Sequence, residues 1–126
     1  MKANRRLALA VLVSASLGAA LVTGLKAQAK PPVYVVIDIS EMLDVETFGK
    51  AIANEKTTTL GGRYIIRTQK ATALDGGPPP NRFVVIAFDS EEKVKAWRDS
   101  PEMKEVNAAR LKTTKSRSFM VEGLAH

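Results

Sequence analysis

The apolar and polar positions of the chain change period several times, and each change marks an element. From Val33 to Ser40 the odd positions (Val33, Val35, Ile37, Ile39) are apolar, while the even ones are Tyr34, Val36, Asp38 and Ser40. This β-branched alternation predicts a strand with one face against helices and the other of mixed character. Helical spacing takes over at Val45, Phe48, Ala51 and Ile52, with Asp44 as the cap, Glu46 in the first turn and an end near Lys56. Thr57-Thr58-Thr59 and Gly61-Gly62 stop that helix. Arg63–Thr68, with an irregular continuation towards Leu74, and Arg82–Phe88 then read as strands joined by the turn-rich segment Asp75–Asn81.

Ser90 caps a further helix in which Val94 and Trp97 share one face. Ser100-Pro101 breaks it and starts another, whose apolar side is Met103, Val106 and Leu111 with Ala109. From Ser116 to Glu122, Arg117, Phe119 and Val121 alternate against Ser118, Met120 and Glu122, which predicts a closing strand. The order β-α-β-β-α-β predicts an α+β, ferredoxin-like protomer: an antiparallel sheet with its helices on one face, the second helix broken near Ser100-Pro101. The other face, with Tyr34 and Val36, is left without cover. Sheet-to-sheet packing against a second copy would supply it, so a homodimer is expected.

Residues 1–29 follow a different pattern: Lys2, Arg5 and Arg6, an apolar run from Leu7 to Val22, then small residues ending Ala27-Gln28-Ala29. That is the layout of a secretory signal, with cleavage expected after Ala29, leaving 30–126 as the domain and placing the product in the periplasm or outside the cell. Retention as a membrane anchor is the rival reading. After cleavage no stable membrane association is expected. Asn4-Arg5-Arg6-Leu7 loosely matches a twin-arginine motif, but paired arginines also suit the general secretory route, which the pattern favours. Removing the segment changes the charge picture. The whole chain carries +6, but the 15 basic and 13 acidic residues that remain leave +2, so nucleic acid is not an expected partner.

Tyr34-Val35-Val36-Ile37-Asp38-Ile39, Gly61-Gly62-Arg63-Tyr64, Pro79-Pro80-Asn81-Arg82 ahead of Val84-Val85-Ile86-Ala87-Phe88, and Ala96-Trp97 with Asp99-Ser100-Pro101-Glu102 together resemble a bacterial family, domain of unknown function 1330. The resemblance spans essentially all of 30–126. It implies a dimeric α/β barrel, two ferredoxin-like sheets packed face to face. The wider group includes cofactor-free monooxygenases, haem-degrading enzymes and isomerases; the narrower family implies no particular activity. The export signal and Arg98 after Trp97 depart from the family's usual pattern.

The chemistry available is narrow. There is no cysteine, and the single histidine is His126, the last residue, which leaves histidine-based catalysis, a metal centre and a cofactor without support. Asp38 sits in an apolar strand, where an unpaired carboxylate costs on the order of 2 to 7 kcal/mol. Arg63, Arg67, Arg82 and Arg117, all in or beginning strands, are its candidate partners. Two readings stay open: a cross-strand or cross-dimer pair that fixes register, or a pocket in which arginines hold an anionic or carbonyl-bearing ligand and Asp38 acts as a base. Tyr34 and Tyr64 could donate hydrogen bonds into the same space or simply form an amphipathic wall, and Trp97, on one face with Val94, reads as core packing against the sheet ahead of a binding role. The candidate ligand-binding set is therefore Tyr34, Asp38, Arg63, Arg67, Trp97 and Arg117, with Asp38 the catalytic candidate. The function expected is an exported homodimer binding a small, partly apolar or anionic ligand in a cleft between helices and sheet. The alternative is a cofactor-independent monooxygenase or isomerase.

Overall fold

The computed structural model describes residues 30–125. The cleavage expected after Ala29 and the placement of His126 lie outside them. Seven elements follow one another: β1 (Val33–Met42), α1 (Val45–Ile52), β2 (Arg63–Thr68), β3 (Arg82–Phe88), α2 (Glu91–Asp99), α3 (Pro101–Thr113) and β4 (Thr114–Glu122). The strands form one sheet in the order β2-β3-β1-β4, and every neighbouring pair is antiparallel. This is the ferredoxin-like α+β arrangement expected from the element order.

Alternation along β1 decides which side is core. Val35 belongs to a buried cluster with Ile86, Phe88, Val94, Trp97, Met103 and Val106, so the odd positions face the helices. Tyr34, Val36 and Asp38 face the other way, alongside Val85 and Phe83 of β3 and Phe119 and Val121 of β4. Among the described residues no helix covers that second face, and Phe119 and Val121 are each 42% exposed.

Local chemistry sets the helix starts as expected. Thr47 N–H donates to Asp44 Oδ1 at 3.0 Å, and Lys93 N–H to Ser90 Oγ at 3.2 Å. Ser100 both ends α2 and starts α3: its N–H donates to Trp97 O, while its Oγ accepts from Met103 N–H with Pro101 at the first helical position.

Several boundaries and faces differ from expectation. Helix α1 ends at Ile52 rather than near Lys56, and 53–61 are mostly turns that carry Thr57 into the core. Strand β2 stops at Thr68, and its irregularity is a register shift between Tyr64 and Ile66 rather than an extension to Leu74. Val45 and Leu111, expected on buried stripes, are 58% and 63% exposed. On α3 the buried positions are Met103, Val106, Arg110 and Thr113. That spacing is helical, and Met103 and Val106 lie on it as expected, but its other two members are polar, so a count of apolar residues picks Leu111 in place of Arg110 and Thr113.

Candidate functional site: a cavity between sheet and helices

Between the inner sheet face and the helices lies a cavity of about 360 Å³, partly open to solvent. Strand register orders its lining into levels. Val35 aligns with Ile86 and, through it, with Tyr64; Ile37 aligns with Val84 and Arg67; Ile39 aligns with Arg82 on one side and Ser116 on the other. At about 3.3 Å per residue, the Tyr64 and Arg82 levels are roughly 13 Å apart. The space between them is walled by Ile37, Val84, Ile52, Met103 and Val106.

One end is a closed hydrogen-bond cluster. Thr57 is 1% exposed, and its Oγ1 accepts from Trp97 Nε1–H and from Tyr64 O–H, both at 3.2 Å. Its backbone N–H donates to Glu55 Oε2 at 2.7 Å. Burial opposes ionisation of Glu55, but hydrogen bonds from Thr57 and Tyr64 and the nearby Arg67 charge outweigh it, holding the carboxyl below its ordinary value. Burial, reinforced by the Glu55 charge and opposed by Thr57 and Arg67, raises the Tyr64 phenol. The Arg67 guanidinium lies 4.8 Å from the Tyr64 ring centroid. No buried side-chain polar atom at this end lacks a hydrogen-bond partner, so it is preorganised, with its negative charge on Glu55.

The other end is cationic and unsatisfied. Arg110 is 5% exposed, and its Nη1 donates to Ser116 Oγ at 2.7 Å, which fixes the guanidinium beside Ile39. Arg82, half-buried, stacks on Phe48 with its guanidinium carbon 5.3 Å from the ring centroid. Among the described residues neither arginine forms an ion pair, and the Nε of each is buried without a hydrogen-bond acceptor. Burial, and secondarily the Arg98 charge, pushes the Arg110 guanidinium below its ordinary value. Three guanidinium groups and one carboxylate line the cavity, a formal +2.

Of the candidate ligand-binding set, Arg67 and Trp97 line this cavity, as does Tyr64, the other tyrosine considered for it. Tyr34, Asp38 and Arg117 belong to the opposite sheet face, and Arg63, aligned with Ala87 and through it with Tyr34, is exposed beside them. Asp38 and Arg117 are directly opposed across β1 and β4, with Arg117 Nε 3.4 Å from Asp38 Oδ2. Arg110, Glu55 and Thr57 were not singled out. Arg110 had a sequence signal, the spacing 103, 106, 110, 113; Glu55 and Thr57 had none, because only the fold brings the 53–61 segment under Tyr64 and Trp97.

The fold and cavity define the class: a ferredoxin-like α+β protein with a cavity between sheet and helices. The chain belongs to the family described as domain of unknown function DUF1330, whose model matches residues 32–124. Comparison with curated proteins gave no sequence match. Solved structures are similar in fold. A protein of unknown function from Rhodopseudomonas palustris superposes with a TM-score of 0.58 at 14% identity, covering 82% of this chain and 92% of that one. An ethyl tert-butyl ether d (ethd) family protein from Bacillus halodurans gives 0.55 at 15%, covering 74% and 99%. A candidate antibiotic biosynthesis monooxygenase from Nitrosomonas europaea gives 0.51 at 18%, covering 77% and 93%. At such identities the likeness concerns the fold alone.

Proposed function

We propose that this chain is an exported, homodimeric binding protein whose cavity takes a small, partly apolar anion. The observation that carries the reading is the pair Arg82 and Arg110: two cations at one end of an apolar space, each with a buried Nε that lacks an acceptor. An unmet buried donor costs about 1 to 3 kcal/mol, and an anionic ligand would meet both at once. Homodimer formation is supported by the uncovered apolar sheet face, and export by the pattern of residues 1–29. N-terminal sequencing of the exported protein should begin at Lys30.

A thermal-shift panel tests the binding reading, using apolar carboxylates, sulfonates and phosphates beside alcohols of matched chain length. At least one anion class should stabilise the protein well beyond its matched alcohol, and the Arg110→Gln and Arg82→Gln variants should lose that difference. Equal stabilisation by alcohols, or a response unchanged in both variants, would overturn it.

A second reading, a cofactor-independent monooxygenase or isomerase, draws on Glu55. An ionised carboxylate beside Tyr64 and Arg67 inside the cavity is a candidate proton acceptor. On that reading Glu55→Gln abolishes conversion of the bound anion while leaving its binding intact.

A further inference from the structure

Two features of the cavity narrow the ligand further than "anion", provided the anion-binding reading above holds. The first is which donors remain free. Arg110 commits Nη1 to Ser116, so the edge left open is the one carrying Nε. A guanidinium presents parallel N–H groups along that edge, a shape matched by the two coplanar oxygens of a carboxylate. Across the cavity Arg82 offers a second unmet Nε at the same level of the sheet, since it and Ser116 both align with Ile39. Two unmet buried donors suit two oxygens, whereas a phosphate brings three acceptor oxygens and up to two charges. Of the two arginines Arg110 is buried and Arg82 half-buried, so one negative charge offsets the one cation cut off from water.

The second feature is polarity along the cavity. The cationic pair stands at the Ile39 level and Glu55, with its hydrogen bonds to Thr57 and Tyr64, at the Val35 level, roughly 13 Å away. Between them Ile37, Val84, Ile52 and Met103 offer apolar surface and no unmet buried side-chain donor, and Arg67, whose backbone is at the Ile37 level, has its guanidinium on the Tyr64 ring, where its charge offsets that of Glu55. The cations without an acidic partner stand at one end only, whereas Glu55 and Arg67 offset each other at the other, so the anionic group is drawn to the Arg82–Arg110 end and its apolar part lies along the middle.

We propose that the ligand is a medium-length monocarboxylate with an unbranched or flat apolar body, bound with its carboxylate on the Nε edges of Arg82 and Arg110 and its tail directed towards Trp97. A volume of about 360 Å³ equals the liquid share of about twelve waters, which suits a molecule of about ten non-hydrogen atoms. Within that limit each buried methylene strengthens binding about fourfold, and chains too long for the cavity gain nothing more.

Trp97 is the only tryptophan of the chain, so its fluorescence reports the tail end directly. Titration with butanoate, hexanoate, octanoate and dodecanoate should show affinity rising to hexanoate or octanoate and then levelling. Octanesulfonate, octyl phosphate and octanol should each bind at least tenfold more weakly than octanoate. Bromine quenches tryptophan on contact, so 8-bromooctanoate should quench Trp97 strongly and 2-bromooctanoate weakly. Arg110→Lys keeps the charge and the fold but loses the edge, and should erase the preference for octanoate over octanesulfonate while retaining a preference over octanol.

The failures are separable. Equal binding of octanoate, octanesulfonate and octyl phosphate would overturn the carboxylate assignment and leave the anion reading standing. Equal quenching by the two bromo acids would overturn the orientation. Octanol binding as tightly as all three anions would overturn the broader reading itself.

Discussion

Arg110 occupies a place on α3 where helical spacing asks for an apolar side chain, on the same stripe as Met103 and Val106. Among the described residues Arg110 has no acidic partner, so its buried charge carries a desolvation cost that an apolar side chain of similar size would not. Arg110→Met should therefore leave urea-unfolding stability unchanged or raise it, while removing the anion response; a loss of more than about 1 kcal/mol would assign Arg110 to the scaffold instead. Glu55 gives a prediction in pH. Its folded-state value lies below the ordinary 4.5, so the stabilisation it supplies is complete above that pH and is lost as pH falls through the lower, folded value. Tyr64 works in the opposite sense: its value is raised above 10.0, so its contribution holds below that pH and is lost as pH rises through the folded value. Asp44 is also lowered, by its hydrogen bonds to Thr47, and shares the acid-side trend. The difference between wild type and Glu55→Gln in urea midpoint against pH isolates Glu55, and it should shrink as pH falls through the lowered folded-state value.

At the scale of elements, the segment between α1 and β2 does more than connect. It delivers Glu55 and Thr57 to the cavity, and Gly62 lets it lie close to the sheet. A Cβ at Gly62 would stand 2.7 Å from Thr57 Cγ2, 2.9 Å from Phe88 Cζ and 3.0 Å from Ile86 Cγ2. Gly61, next to it, has a φ of +92°, the left-handed region that favours glycine. Gly62→Ala should destabilise by about 1 to 3 kcal/mol in urea unfolding and shift Trp97 emission, because the displaced group is the acceptor of its indole N–H. The two neighbouring breaks in the chain differ in how far sequence reveals them. Ser100-Pro101 is read correctly because a cap and a proline act locally. The end of α1 is not, because tertiary hydrogen bonds to Thr57 outweigh a few tenths of a kcal/mol of helix propensity per residue.

At the scale of the whole molecule, the proposed homodimer would form through the sheet face opposite the helices. Ile66, Phe119 and Val121 are each 42% exposed around the buried Val36. The Asp38–Arg117 pair lies on the same face. Sheet-to-sheet packing would bury this surface, and the ion pair would then help set the register of the two copies. Sedimentation at micromolar concentration should give a dimer for the wild type and a monomer for Phe119→Lys. The cavity is on the far side of the sheet, so the variant should keep its anion response; a dimer persisting in Phe119→Lys would place the interface elsewhere.

What the sequence determined by itself was whatever depends on neighbours along the chain. Period-2 alternation fixed the strands and the two faces of β1, caps fixed the helix starts, and the order of elements fixed the ferredoxin-like topology. The tertiary structure alone decided which charged residues share a space. Asp38 and Arg110 each stand among apolar residues in sequence, yet register puts Asp38 opposite Arg117 on the outer face while helix packing turns Arg110 into the cavity. Alternation tells which residues lie together on a face; which face becomes a cavity depends on how helices distant in sequence settle against the sheet.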